Sequence, residues 1–214
     1  MAAAEQGEGQ SYALNYLDFK LRTFCDFQGG FFVEVGANDG IAQSNTLYFE
    51  RYLGWRGLLI EAVPELARAC ATNRPACLVE NAALVSAFYP GSTIPMRYCN
   101  LMSVVSGAMK TPEEEERHIE RGCRLQQVES FPLEAPARTL SSILEQHGIE
   151  HIDLLSLDVE GYELEALRGI DFYVYKPRLM LIEARYRREI DDYLAPLYEP
   201  VAPLSHHDVL YVLR

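Results

Sequence analysis

Long apolar runs are missing from this chain: none approaches the ~18 residues that a membrane-spanning helix needs, so no membrane partner is expected. Positive charge is scarce as well. Lysine and arginine together number 19 against 31 acids, and the net charge of −12 would repel a phosphate backbone, which argues against nucleic acid as a partner. No C-x-x-C spacing links the five cysteines, Cys25, Cys70, Cys77, Cys99 and Cys123, and their odd count fits neither a disulfide framework nor a zinc site. They read as reduced thiols of a cytoplasmic protein. The opening MAAAEQGEGQ has neither the basic nor the apolar part of a signal peptide and is expected to be a loose tail over residues 1–10.

What the chain does contain is enough apolar matter for one core: 214 residues, 49% of them hydrophobic, suit a single domain over residues 11–214. Within it FFVEV, GLLIEA, ACLVE, IDLLSLDV and RLMLIEA are short apolar runs of the kind that strands buried on both faces produce. Helical patterns stand between them: TLYFERYLGW, PELARACATNR, TLSSILEQHG and GYELEALRG. The alternation predicts an α/β fold with a mostly parallel sheet and helices on both faces. A leading helix is expected over SYALNYLDFKLRTFCDF, its apolar face offering a dimer contact, so that monomer and homodimer both stay open. Ser44 or Asn45 would cap the first inter-strand helix, Gly54 would end it, and Gly169 would end the helix after the fourth strand. The terminal YEPVAPLSHHDVLYVLR reads as an antiparallel hairpin around a Ser-His-His-Asp turn. The alternation is interrupted at about residues 88–137, where PGSTIP reads as a turn and Thr111-Pro112 opens a charged helix. This is expected to be an insertion over the strand ends, where a substrate would enter.

FFVEVGANDG, residues 31–40, places glycines at 36 and 40, whereas a dinucleotide fingerprint starting at Gly36 would need them at the positions of Asn38 and Ile41. A pyrophosphate cradle is thus poorly matched. S-adenosylmethionine has no phosphate and a zwitterionic end, so its turn asks for one close backbone approach plus polar groups such as Glu34, Asn38 and Asp39. About twenty residues later Glu61 ends the second strand, where nucleoside-binding sheets place an acid for ribose hydroxyls. Asn81, ending the third, could reach an adenine amino group. In LLSLDVEGYELEALRG an apolar strand gives way abruptly to Asp158 and Glu160, and carboxylates so placed have a counter-group or a function.

Taken in order and spacing, FVEVGANDG, SNTLYFERYLGWRGLLIEAVPE, DLLSLDVEGYELEALRGID and LMLIEA resemble the FkbM family of S-adenosylmethionine-dependent methyltransferases across about residues 31–184. DVEGYELEALRG is the most specific part; RYCNLMS and LSHHDVLYV resemble elements of the branch with Ser-Asn-Thr at the first helix. The resemblance implies a class I methyltransferase (Rossmann-like) sheet and methylation of a hydroxyl on a sugar or secondary metabolite. It places Glu34, Gly36, Asn38 and Gly40 in the donor loop, Ser44 and Asn45 at the adjoining helix start, and Glu61 on the ribose. It sets Asp158 and Glu160 opposite the transferred methyl. Two departures stand out: Ser141 where many members carry aspartate, and Ala62 where proline is frequent.

Methyl transfer from a sulfonium is an in-line displacement, so positioning dominates and an alcohol acceptor needs a general base. Asp158 is the first candidate, with Glu160 positioning it, and His207 or His206 beside Asp208 is the second. A Mg²⁺ on Asp158 and Glu160 could acidify the hydroxyl instead but is not assigned. Arg97, Tyr98, Asn100 and Met102, with Tyr89 and Lys110, are the expected acceptor wall for a small molecule or glycan, and Glu113 to Glu116 a solvated face. The rival readings are an NAD(P)-dependent oxidoreductase and a non-catalytic partner-binding module on the same sheet.

Overall fold

The computed structural model describes residues 9–214; the expected tail lies outside the described residues as far as residue 8. The chain opens with a 3₁₀ turn at Leu14–Tyr16 leading into α1 (Leu17–Arg22), then β1 (Phe31–Val35), α2 (Leu47–Leu53), β2 (Arg56–Glu61), α3 (Pro64–Asn73) and β3 (Leu78–Asn81). The middle of the chain supplies β4 (Ala83–Leu84), β5 (Thr93–Arg97), a 3₁₀ turn at Asn100–Met102, β6 (Val104–Val105), α4 (Pro112–Gln126), β7 (Pro132–Arg138) and α5 (Leu140–Gln146). Last come β8 (Leu154–Leu157), α6 (Glu163–Leu167), β9 (Leu179–Glu183), α7 (Arg187–Leu194), β10 (Tyr198–Pro203) and β11 (Asp208–Leu213).

The five apolar runs are the parallel strands β1, β2, β3, β8 and β9, and the terminal hairpin completes a sheet of order β10-β11-β9-β8-β1-β2-β3, with β11 antiparallel to β9. Alternation along the strands splits the core in two. Val33, Leu58, Leu155 and Met180 pack with α5, α6 and α7 on one face, and Phe32, Leu59, Leu154 and Leu181 pack with α1 and α2 on the other. Strand order reverses at β1, which has β2 on one side and β8 on the other, so a crevice opens at their carboxyl ends. Gly36 makes that crevice narrow. Its φ is +80°, and a Cβ there would collide with the Asp158 carbonyl oxygen.

Several local expectations shift. The leading helix is short because Asn15 and Tyr16 are left-handed (φ 56° and 58°), and the Asp18 carboxylate accepts from Ser11, Tyr12 and Ala13, turning the chain back on itself. Leu17 and Leu21 on α1 are buried within the chain's own core. Ser44 does cap α2, its Oγ accepting from the Leu47 N–H at 3.0 Å, and Gly54 ends that helix at φ 64°. Gly169 is a different case: α6 stops at Leu167 with Arg168 as its C-cap, and the glycine is needed because the Val85 carbonyl lies where a Cβ would be. The expected insertion at 88–137 supplies most of a second sheet of order β4-β7-β5-β6, which begins earlier, at β4, and whose apolar side (Ile94, Met96, Val105, Ala135) closes on Ala62 and Tyr162. Thr111 accepts from the Glu114 N–H at 3.1 Å and starts α4 with Pro112 in the first turn.

One side chain ties the crevice elements together. Arg74, 1% exposed at the end of α3, donates to Glu50 (2.6 Å), Glu34 (3.0 Å), Ser44 (3.2 Å) and Thr46 (3.1 Å). Glu34 also accepts from the Ser44 and Thr46 hydroxyls and the Asn45 N–H. Removing the guanidinium strands a buried carboxylate, so Arg74→Met should cost about 3–5 kcal/mol in urea denaturation. Arg74→Lys should recover only part, because an ammonium cannot span four acceptors in that fork; a loss under about 1 kcal/mol would contradict the assignment.

Candidate functional site

A cavity of ≈ 370 Å³ occupies the crevice, walled by the ends of β1, β2, β8 and β9, the Ser44-Asn45 stretch, the Asn100–Met102 turn and the terminal hairpin. Its size falls in the roughly 300–1,000 Å³ range of small-molecule sites. Glu61, at the end of β2, takes the Asn38 N–H on Oε2 (2.8 Å) and the Val63 N–H on Oε1 (2.8 Å), and the carboxylate keeps acceptor capacity on the cavity wall. Burial pushes its carboxyl up to about 7. Asn45, also lining the cavity, donates from Nδ2 to Ser156 Oγ (3.1 Å), while its Oδ1 is buried with no partner.

Of the residues expected to face a cofactor, Glu34, Gly36, Asn38, Ser44, Asn45, Glu61 and Asp158 line this cavity. Glu34 and Ser44 do so as scaffold, held by Arg74 and the α2 start. Three others are corrected. Asp39 turns away to accept from the Ile41 and Ala42 N–H groups (2.8 and 2.7 Å), an Asx turn that shapes the loop. Gly40 supplies a left-handed bend (φ +81°) against Arg74 rather than a wall. Asn81 donates to the Glu61 and Ala62 carbonyls (both 2.9 Å), closing the ends of β2 and β3, and the residues after it, Ala82 to Leu84, line the cavity instead.

The other half is acidic. Asp158, Glu160 and Glu183 each bring a carboxylate oxygen within 4.8 Å of the others, an all-oxygen set of the kind that holds a hard divalent cation. Burial, then the charge of Glu183, raises Asp158 well above the ordinary carboxylate range and lifts Glu160 to about 8. Glu163, whose Oε1 accepts from the Gly161 N–H at 2.8 Å, is pushed to about 7 by burial. Glu160 sits at φ 54°, left-handed, and receives Arg185 Nη2 at 3.0 Å. Arg185 in turn meets Nδ1 of the buried His118, whose Nε2 bonds the Met102 carbonyl at 3.0 Å. His207 lies at the exposed hairpin rim, edge-on to His206, with both rings on the cavity wall.

On the insertion side, Asn100 and Met102 line the cavity, but Arg97 and Tyr98 do not. Strand alternation explains Arg97: β5 turns Ile94 and Met96 inward, so Arg97 points out and pairs with Glu116 at 2.5 Å. Tyr98 stacks on Phe131 with centroids 4.6 Å apart. Tyr89 bonds the Thr93 carbonyl and Lys110 pairs with Glu189, both outside the wall. The glutamate run is only partly a free face, since Glu114 accepts from Tyr186 and Glu115 from the Gly107 N–H.

The sequence pattern described as the methyltransferase FkbM domain matches residues 34–213. The chain belongs to the FkbM methyltransferase family. A curated relative, methyltransferase sdnD of Sordaria araneosa, is 30% identical over 165 residues, covering 66% of this chain and 60% of that protein. The crystal structure of methyltransferase FkbM from Methylobacillus flagellatus KT superposes with a TM-score of 0.51 at 14% identity, covering 92% of this chain and 53% of that one. The chain thus spans between half and two thirds of the length of these relatives. Its fold is that of the class I methyltransferases, a Rossmann-like sheet closed by an antiparallel hairpin.

In this FkbM-family chain the residues missed by sequence reasoning are Ser156, Tyr162, Glu183, Arg185, Arg121 and Gln126 on the cavity wall, and Arg74 behind it. Glu183 was findable: like Asp158 it ends a buried apolar run at a strand terminus. Nothing local marks Arg74, whose partners lie 24 to 40 residues away.

The raised carboxyls have a consequence for stability. Glu61, Glu160 and Glu163 bind protons more tightly folded (about 7, 8 and 7) than unfolded (4.5), so stability should fall as pH rises from about 5 to 8. Glu61→Gln should remove part of that slope, about 3 kcal/mol at most. Thermal unfolding of the apoprotein at pH 5, 6.5 and 8 checks this, and identical slopes for both proteins would contradict it.

Proposed function

We propose that this cavity binds S-adenosyl-L-methionine and that the chain methylates a hydroxyl oxygen of a small molecule or glycan, such as a sugar or secondary metabolite. The observation that carries the reading is Glu61. On the cavity wall its two oxygens are fixed by backbone N–H groups from Asn38 and Val63, and the carboxylate keeps acceptor capacity, which suits ribose hydroxyls. The Asn45 Oδ1, buried and unpartnered on the same wall, suits an ammonium donor. Gly36 lets backbone replace side chain at the crevice. When bound, S-adenosylmethionine would supply a methyl group made electrophilic by its sulfonium.

The chain's own part is to place an acceptor and take its proton. Asp158 accepts the hydroxyl proton, and its raised proton affinity makes it a stronger base than an ordinary carboxylate. Glu160, held by Arg185, positions Asp158 or the acceptor, and His207 at the rim is the second proton acceptor. Because Asp158 must be ionised to act and its proton affinity is raised, turnover should rise with pH. Asn100 and Met102 shape the acceptor side. The five unpaired thiols support a cytoplasmic location, and among the described residues no helix is long and apolar enough to cross a membrane.

Calorimetric titration with S-adenosylhomocysteine should show micromolar binding, weakened about tenfold or more by Glu61→Ala, with no heat from NADH. Asp158→Asn should keep that affinity within about threefold while lowering methyl transfer roughly 10²–10⁴-fold on a panel of hydroxylated acceptors. A folded sample that ignores S-adenosylhomocysteine overturns the reading, and NADH binding would favour the oxidoreductase.

A further inference from the structure

Two thiols face each other beneath the acceptor side of the cavity. Cys99, fully buried just after β5, and Cys123, half-buried on α4, have Sγ atoms 3.7 Å apart. Cys99 Sγ also bonds the Ile119 carbonyl at 3.7 Å, while the remaining cysteines meet oxygen and no second sulfur: Cys25 the Leu21 carbonyl, Cys70 the Asn38 carbonyl and Cys77 Glu50. Cys99 directly precedes the Asn100–Met102 turn, and Asn100 Oδ1 receives Asn38 Nδ2 at 3.0 Å. Asn38 is also the residue whose N–H fixes Glu61. The sulfur pair therefore sits one residue from the contact that joins the insertion to the donor loop.

We propose that Cys99 and Cys123 are a reversible thiol–disulfide modification site, oxidised by hydrogen peroxide, that alters the cavity by moving the Asn100–Met102 turn. Cys123 is the thiol that solvent reaches. Its thiolate attacks one peroxide oxygen, the O–O bond breaks, and a sulfenic acid and hydroxide result. Cys99 then attacks the Cys123 sulfur, the S–O bond breaks, and the departing hydroxide takes the Cys99 proton as water. Two thiols and one peroxide thus give one disulfide and two waters. Burial pushes the Cys99 thiol up to about 12, so the second step is the slow one and depends on the 3.7 Å approach of the two sulfurs.

Closing the sulfurs from 3.7 Å to about 2.05 Å requires motion. Gly122 leaves the room that Cys99 Sγ occupies, since a Cβ there would lie 2.5 Å from the sulfur. Cys99 directly precedes the 3₁₀ turn, so its displacement is passed to that turn and the Asn38–Asn100 hydrogen bond is stretched.

The test is peroxide treatment of the whole purified chain, followed by non-reducing peptide mapping and S-adenosylhomocysteine titration. The expected result is a Cys99–Cys123 linked peptide pair, reversed by dithiothreitol, with affinity falling roughly fivefold on oxidation and returning on reduction. Cys123→Ser, substituted at the less buried position, should bind normally and not respond to peroxide. Exclusive over-oxidation of Cys123, or pairing elsewhere, would overturn the site. A mapped bond with unchanged affinity would overturn its effect on the cavity. Should the reduced chain bind no S-adenosylhomocysteine, the proposed function fails, while the peptide map still decides whether the two thiols pair.

Discussion

A buried guanidinium is the constraint on which the cavity depends. Arg74 closes α3 against the Glu34 carboxylate of β1, the hydroxyls of Ser44 and Thr46 and the Glu50 carboxylate of α2. Four separate stretches of chain are thereby held at the carboxyl end of β1, where the strand order reverses. The buried guanidinium needs these acceptors, and removing it would leave Glu34 buried without its ion-pair partner. Glu34 thus fixes the loop that exposes Gly36, the Asn38 N–H and Asn45, and those groups in turn orient Glu61 and the open wall.

The far side of the cavity is governed by the opposite condition, an excess of acid over cation. Arg185 reaches Glu160, yet Asp158, Glu163 and Glu183 add their carboxyls to the same end of the sheet. Protons stay on Glu160 and Glu163 into the neutral range, so this side contains groups able both to hold and to accept a proton at working pH. That arrangement opposes folding as pH rises, and it fits a site shaped for chemistry more than for stability. The insertion is connected to both halves: Asn100 meets Asn38 on the donor side, and His118 meets Arg185 on the acidic side.

Features written within one strand were legible in the sequence. The five apolar runs gave the parallel strands, the Ser-His-His-Asp turn gave the hairpin, and Glu61, Asp158 and Glu160 were placed at strand ends where the structure brings them to one cavity. What was not legible depended on parity and on distance. One step along β5 separates Met96 on the wall from Arg97 outside it, and no composition signal fixes that register before the partner strand β7 is known. Asp39, Gly40 and Asn81 are polar or flexible residues beside a ligand loop, but their groups serve the loop's own backbone. The leading helix was overestimated because its apolar spacing was sound while two residues, Asn15 and Tyr16, take left-handed conformations that spacing cannot reveal.

The central claim is that the donor half of the cavity is built by Gly36 to Asn38, Asn45 and Glu61. Hydrogen–deuterium exchange with and without S-adenosylhomocysteine tests it most directly. The account predicts slowed exchange in residues 36–46 and 61–64, with a smaller effect at 99–103 through the Asn38–Asn100 contact. Protection confined to other segments, or none with ligand in excess, would contradict it.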